Sequence, residues 1–140
     1  MREKSFIMTS KRFTGSVLFK FGLNGFLTLF KIEADLDERQ HQFTLKYIPK
    51  HISHIAELAK LSETIKVEEV PVDLSFGHFW KTYGNYAGKK KRCEALWEQL
   101  NDAERSKCLN YITIYKSHKS KDGTALAYPE TYINNRVWEN

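Results

Sequence analysis

The stretch FTGSVLFKFGLNGFLTLFKIE, from Phe13 to Glu33, decides the first part of the fold. It holds two segments in which apolar and polar residues alternate, and this period of two is typical of β-strands. The residues sharing one face are Phe13, Val17, Phe19 and Phe21 in the first segment and Phe26, Thr28, Phe30 and Ile32 in the second. Asn24-Gly25 between them predicts a type I′ hairpin. A lone hairpin is marginal in water, so other elements must cover its aromatic face.

The residues after the hairpin predict two helices and a third strand. Asp35 and Glu38 have capping-box spacing and Pro49 sets a stop, which predicts a helix over residues 36–48. Apolar residues at helical spacing predict a second helix over residues 52–62. TIKVEEV alternates again, and Pro71 places this strand at an edge. A crossover between strands should be right-handed, with the third strand parallel to the second and beside the first.

Helical patterns fill the rest of the chain. Ser75 precedes a helix that Gly84 ends, a second amphipathic helix runs to Leu100, and Asn101 with Glu104 caps a third. KSKDG is expected to be a loop, and Pro129 to open a short final helix. The predicted fold class is therefore α+β. Residues 1–75 form a three-stranded sheet (the hairpin plus an edge strand) with two helices, and residues 76–140 a small helical module.

Composition narrows the class of protein. The 140 residues suffice for one compact domain or two very small ones, and 41% hydrophobic with 28% charged residues is ordinary for folded soluble proteins. The apolar runs are shorter than the roughly 20 residues that span a bilayer, and the start lacks a signal-peptide core, so we expect a cytoplasmic protein without membrane contact. Cys93 and Cys108 lack metal-site spacing and are expected to be reduced and buried.

Positive charge is concentrated in the second half. Residues 76–140 hold 11 basic and 7 acidic residues and so carry +4 of the net charge of +5. The sequence GKKKRCEALWEQL places Lys89, Lys90, Lys91 and Arg92, here called the basic run, in the first turn of a predicted helix. Cations at that end oppose the helix dipole, so helix stability does not explain them. They indicate a contact with phosphate or an acidic surface, together with free amides of the helix start; the alternative is a solvated charge run.

Catalytic and metal-binding patterns are weak. His51 and His54 lie three apart and, with His41, could hold a metal, but surface histidines explain them better. The sequence has neither a glycine-rich phosphate loop nor a nucleophile elbow. We therefore expect a protein that is not an enzyme and uses no metal or cofactor. Tyr86, Tyr111 and Tyr128 are candidate platforms for single-stranded nucleic acid, although core packing is the commoner role.

The second half resembles the carboxy-terminal module of phage and prophage DNA replication proteins, whose pattern includes Phe-Trp-x-x-Tyr, a lysine-rich helix with a tryptophan, and a final Arg-Trp-Glu. The matching residues are Phe79, Trp80, Tyr83, Lys89, Lys91, Trp97, Pro129, Thr131, Arg136, Trp138 and Glu139. The whole chain also resembles small mobile-element proteins of Bacteroidetes-type bacteria. The resemblance implies a structural aromatic clasp in which Trp138 returns to Phe79, Trp80 and Trp97, with Tyr132 alongside. Arg136 is expected to stack on an aromatic ring, to pair with a carboxylate, or to join the basic run in contacting a partner.

Two functions follow as hypotheses. The first is an accessory protein of a phage or mobile element that binds nucleic acid or a nucleoprotein complex, for example in DNA replication. The second is an inhibitor or host-takeover protein that binds a bacterial or phage protein such as a CRISPR effector. Both leave open whether the partner is DNA, RNA or protein, and the oligomeric state.

Overall fold

The computed structural model describes residues 2–139 and divides into two compact units, Met1–Val70 and Pro71–Asn140. The boundary predicted from the sequence lies between residues 75 and 76. The first unit carries the β-sheet and two helices, and the second unit is helical. The α+β class is confirmed.

The sheet of the first unit has four antiparallel strands, not three. They are β1 (Lys4–Ser10), β2 (Phe13–Phe21), β3 (Leu27–Ala34) and β4 (Ile65–Glu69), in the order β3-β2-β1-β4. The predicted parallel pairing is wrong, because β4 lies antiparallel beside β1, a strand that the sequence analysis missed. Phe6, Ile7 and Met8 are three consecutive apolar residues without alternation, so β1 gave no period-2 signal.

The β2–β3 hairpin is confirmed, and its turn differs from the prediction. Val17, Phe19 and Phe21 are buried on one face, and the Phe19 ring stacks on Phe30 with centroids 5.6 Å apart. Gly25 N–H donates to the Gly22 carbonyl at 2.9 Å, and of the two predicted turn residues only Gly25 has positive φ, at 84°. A type I′ turn needs positive φ at both. The connection is instead a turn over residues 22–25 that ends in a glycine with positive φ. The register between β2 and β3 shifts near this turn, and Phe26 is exposed.

The helices of the first unit are shorter than predicted. α1 spans Glu38–Lys46, and its capping box joins Asp37 to Gln40 instead of Asp35 to Glu38. Both pairs have the required spacing of three, so the sequence alone did not separate them. A 3-10 turn over Ile52–His54 leads into α2 (Ile55–Ala59). Buried Leu58 of α2 joins the sheet core.

The second unit contains four helices among its described residues: α3 (Phe76–Tyr83), α4 (Lys90–Glu98), α5 (Asp102–Asp122) and α6 (Pro129–Asn134), followed by a 3-10 turn over Val137–Glu139. The predicted caps at Ser75 and at Asn101 with Glu104 are confirmed. The predicted loop KSKDG is wrong, because α5 continues to Asp122 and ends at left-handed Gly123. Lysines favour the last turn of a helix, where they complement its dipole.

Tyr132 lies at the centre of the aromatic core of the second unit. Its ring is 5.0 Å from that of Tyr83, 5.2 Å from Tyr115 and 5.7 Å from Trp138. The buried Tyr132 hydroxyl donates to the Cys108 carbonyl at 2.9 Å, so its polar atom is satisfied. The same cluster includes Phe76, Phe79, Cys93, Trp97, Leu100, Leu109, Ile112 and Ile133.

Candidate nucleic-acid interface

The basic run starts α4 and faces solvent. Lys89 is the residue before the helix, Lys90 is its first residue, and all four side chains of the run are exposed. Within residues 2–139, none of the four forms an ion pair with a carboxylate. Four neighbouring cations are therefore available to an outside anion.

Glu130 brings a negative charge to the same helix end. Its Oε2 accepts a hydrogen bond from the backbone N–H of Lys89 at 2.6 Å, from the second position of α6. Gly88, with φ of 92°, lies so close to this carboxylate that an added Cβ would collide with it. A carboxylate at a helix start offsets the unfavourable placement of the basic run. The Lys89 amide is therefore already bonded within the protein and is not free to assist anion binding as the sequence had suggested, whereas the ammonium groups of the run remain exposed.

An aromatic pair lies beside the basic run. The Tyr86 ring is 5.8 Å from the Trp80 ring, and the Lys90 ammonium lies 5.4 Å from the centroid of the same indole. Trp80 is partly buried and also contacts Phe76 at 5.7 Å, which fixes it to the core. Tyr86 remains 61% exposed. The loop thus presents a supported aromatic ring next to unpaired positive charge.

Hydrogen bonds at both ends hold the loop between α3 and α4. Gly84 ends α3 in the left-handed conformation, with φ of 75°, and Asn85 Nδ2 donates to the Ala127 carbonyl at 3.3 Å. Asn85 Oδ1 accepts from Ala87 N–H at 3.2 Å. With the Glu130 contact at the other end, the loop that carries Tyr86 is tied to the segment around α6. Tyr86 is consequently held in place before any partner binds.

The other two tyrosine candidates lie differently. Tyr128 is 56% exposed and directly follows Ala127, which accepts the Asn85 bond, so it adjoins the Tyr86 loop. Tyr111 is partly buried and packs against the aromatic core. The structure therefore leaves Tyr86 and Tyr128 available as platforms and assigns Tyr111 to packing.

Arg136 is engaged within the protein. Its guanidinium pairs with Glu104 and Glu139 and lies 5.4 Å from the centroid of the Trp138 ring. Both the expected carboxylate pairing and the expected aromatic stacking are confirmed. Its φ of 47° is the one positive value among the non-glycine residues that the structure describes. Arg136 thus holds the 3-10 turn against α5, and its charge is already compensated, unlike that of the basic run.

The aromatic clasp closes through Tyr132. Trp138 is only 6% exposed and belongs to the same core cluster as Phe79 and Trp97, but its ring contact is to Tyr132. Phe79 and Trp97 stack on each other 5.0 Å apart. Trp80 lies at the margin of this cluster and faces Tyr86. Trp138 and Tyr132 therefore complete the core, as expected, while Trp80 lies partly exposed at its edge.

Buried side chains in this unit are not activated as nucleophiles. Burial raises the pKa of the Cys93 thiol to about 12, with the nearby Glu130 carboxylate acting in the same direction. Burial likewise raises the pKa of Cys108 and of the Tyr132 hydroxyl. All three groups are protonated at neutral pH. The expectation that both cysteines are unpaired and buried is confirmed.

Of the histidine candidates, His51 serves local structure. His51 accepts from the Ser53 N–H at 3.2 Å through Nδ1, which caps the 3-10 turn, and its ring packs edge-on against Phe26 at 4.9 Å. The His54 ring centroid is 6.3 Å away from that of His51. Across residues 2–139, no three His, Cys, Asp or Glu side chains come together as metal ligands. In the same part of the chain, every helix is too short or too polar to cross a membrane.

Sequence comparison relates the second unit to a known family. Residues 71–136 match the family described as the Legionella vir region protein LvrA C-terminal domain. This family is associated with mobile elements, which agrees with the broader resemblance and gives no support to the phage replication module specifically. Comparisons with curated proteins and with solved structures gave no match. The matched segment contains the basic run, Tyr86 and Glu130.

The cations and Tyr86 are predictable from the sequence, but their contacts with Glu130 and Trp80 are not. Glu130 follows Pro129 in the first turn of a helix, where an acidic residue is common, so nothing marked it as the partner of a distant loop. The Trp80–Tyr86 contact depends on the path of the loop after Gly84, which local patterns do not encode. An aromatic residue beside a glycine-bounded lysine run was the available signal.

Proposed function

We propose that this chain is a non-enzymatic, cytoplasmic accessory protein of a mobile element that binds nucleic acid, alone or within a nucleoprotein complex, through the basic run. One observation carries the proposal: four consecutive cationic side chains are exposed and have no ion pair in the described part of the chain, whereas Arg105 and Arg136 of the same unit are paired with carboxylates. Phosphate neutralisation supplies most sequence-independent binding to nucleic acid.

Charge complementarity favours a polyanion over a single acidic ligand. The cations are consecutive, so their side chains spread around the helix start and would meet several phosphates of one backbone. Glu130 already occupies the Lys89 amide, which disfavours a single phosphate held at the helix end. Free thiols at Cys93 and Cys108 suit a reducing compartment.

A salt titration of binding tests the proposal. Fluorescence anisotropy of labelled DNA and RNA oligonucleotides should show a dissociation constant that rises with salt. Replacing all four residues of the basic run by alanine should weaken binding at low salt and flatten the logarithmic salt dependence, by about 0.7 to 0.9 for each phosphate contact removed.

A matched control removes the same charge elsewhere. Lys11, Lys46, Lys50 and Lys60 are exposed residues of the first unit, and their joint replacement by alanine loses four positive charges as well. This control should keep most of the affinity. Equal losses in both variants would mean that net charge, not the basic run, attracts the polymer, and absence of binding at low salt would refute the proposal.

A second candidate function is favoured by exposed apolar side chains in the first unit. Leu23 is 61% and Phe26 58% exposed at the β2–β3 turn, and protruding apolar groups are typical of contacts with protein partners. An inhibitor or host-takeover protein would use them on a bacterial protein. Capture of partners from a bacterial lysate tests this function. A protein partner that stays bound after nuclease treatment, and that does not bind a Leu23→Ser, Phe26→Ser variant, would favour this function over nucleic-acid binding.

A further inference from the structure

We infer that the nucleic acid is single-stranded and that Tyr86 stacks on one of its bases. The inference rests on the proposed function and adds to it the kind of strand that is bound. Its evidence is the juxtaposition of an exposed, supported aromatic ring with unpaired cations in one loop and the helix that follows it.

The exposure of Tyr86 is not explained by the fold. A tyrosine stabilises a core by burying its ring, yet this ring is 61% exposed, and its aromatic neighbour is the partly buried Trp80. The loop between Gly84 and Gly88 lies at the surface, where a polar residue would serve equally well at this position. The aromatic side chain is therefore better explained by a ligand with a flat apolar face.

The loop presents the ring in a fixed position. Asn85 ties one end to Ala127 and the Lys89 amide ties the other to Glu130. Trp80 contacts the Tyr86 ring in a tilted arrangement, and Phe76 in turn contacts Trp80. A ring that is ordered before binding loses little conformational entropy when a base stacks on it, which strengthens the contact.

Positive charge lies beside the aromatic pair of Trp80 and Tyr86. The Lys90 ammonium is 5.4 Å from the centre of the Trp80 ring, and Lys89, Lys91 and Arg92 flank it on the same turn. Proteins that bind single strands combine a cationic track for phosphates with aromatic rings for bases. In a duplex the faces of the bases are already stacked on one another, so Tyr86 would gain nothing from it.

Tyr128 extends the same surface. It is 56% exposed, and the residue before it accepts the Asn85 hydrogen bond that anchors the Tyr86 loop. Tyr128 is therefore the second exposed aromatic ring near the basic run on which a base could stack. DNA and RNA share this chemistry, because every base has a π-face.

Anisotropy titrations of Tyr86 variants test the inference. The probes are labelled oligo(dT) and oligo(rU) of about 15 nucleotides and a duplex of equal length. Tyr86→Ala should weaken binding to at least one single strand by about 5- to 150-fold and change duplex binding less than twofold, whereas Tyr86→Phe should keep the single-strand affinity. The salt slope should stay the same in both variants, because no phosphate contact is lost.

Tyr47 provides the matched control. It is an exposed tyrosine of the first unit with a ring partner, Phe43, at 4.8 Å and the Lys46 ammonium 5.4 Å from its ring centre. It has no run of neighbouring cations, so Tyr47→Ala should leave affinity unchanged.

The outcomes separate the inference from the proposed function. If alanine replacement of the basic run abolishes binding while Tyr86→Ala has no effect or weakens single strands and duplex equally, stacking is refuted and nucleic-acid binding stands. If wild-type protein prefers the duplex, the single-strand inference is likewise refuted. If neither polymer binds at low salt, both fail.

Discussion

Replacing Trp138 by alanine should lower the free energy of unfolding of the second unit by about 3–4 kcal/mol. The indole is 6% exposed, so nearly all of the roughly 200 Å² of a tryptophan side chain is removed from water. At about 25 cal/mol per Å² this gives ~5 kcal/mol, and a compact unfolded chain reduces it by 10–40%. The result falls in the range of about 3–5 kcal/mol for aromatic-to-alanine changes in cores.

Urea unfolding followed by tryptophan fluorescence measures this loss. All three tryptophans lie in the second unit, so Trp80 and Trp97 still report on that unit in the variant. The midpoint should fall while the slope with urea stays constant. Tyr128→Ala is the control, because its exposed side chain should contribute less than about 0.5 kcal/mol. A loss below about 1 kcal/mol for Trp138→Ala would refute the docked position of the tail.

Three further predictions concern the same unit. Gly88→Ala should destabilise the protein by about 1–3 kcal/mol, because φ is 92° and the new Cβ displaces Glu130 from the Lys89 amide. Thermal unfolding measures this loss of stability. An unchanged midpoint would contradict the contact between Glu130 and Lys89. Although burial acts in the opposite direction, hydrogen bonds from Asn101 N–H and the Arg136 guanidinium lower the pKa of Glu104. The ionised Glu104 carboxylate therefore contributes to folding stability above the ordinary glutamate pKa of about 4.3, and this contribution is lost as pH falls through the lower pKa of the folded state. Glu104→Gln should cost at most about 1 kcal/mol at neutral pH and should reduce the dependence of stability on pH in the acid range. Cys93 should react with a thiol reagent in native protein far more slowly than in urea, since its pKa is raised to about 12, and equal rates would refute its burial.

The alternation of apolar and polar residues predicted those strands that bury only one of their two faces. Val17, Phe19 and Phe21 alternate with less buried residues, so the hairpin strand was evident. β1 was missed because Ile7 and Met8 are both buried although they point to opposite faces, which removes the alternation. Without β1, β4 had no correct neighbour, and the parallel crossover followed from an incomplete set of strands. Strand order depends on all members of a sheet, so one missed strand changed the topology.

Of the candidate site, the sequence predicted the cations and named Tyr86 and Tyr128 among the possible aromatic platforms, but it did not predict the contacts around them. Consecutive cations are visible in any sequence, and the structure leaves them exposed and free of ion pairs within the described range. The opposing charge on Glu130 and the support of Tyr86 by Trp80 depend on contacts between segments that are not neighbours in sequence. Arg136 shows the converse, because its charge resembled that of the basic run until Glu104 and Glu139 were found beside it.

The aromatic core of the second unit has a consequence for biosynthesis. Tyr132 is synthesised about 50 residues after α3, yet its ring packs against Phe79 and Tyr83 of that helix, and Trp138 packs in turn on Tyr132. The first unit draws its sheet core from residues that emerge before any of these, so it has its own nucleus. The aromatic residues of α3 therefore stay exposed in the nascent chain until Tyr132 has been synthesised. A stall in translation just before Tyr132 would leave them accessible to chaperones and proteases.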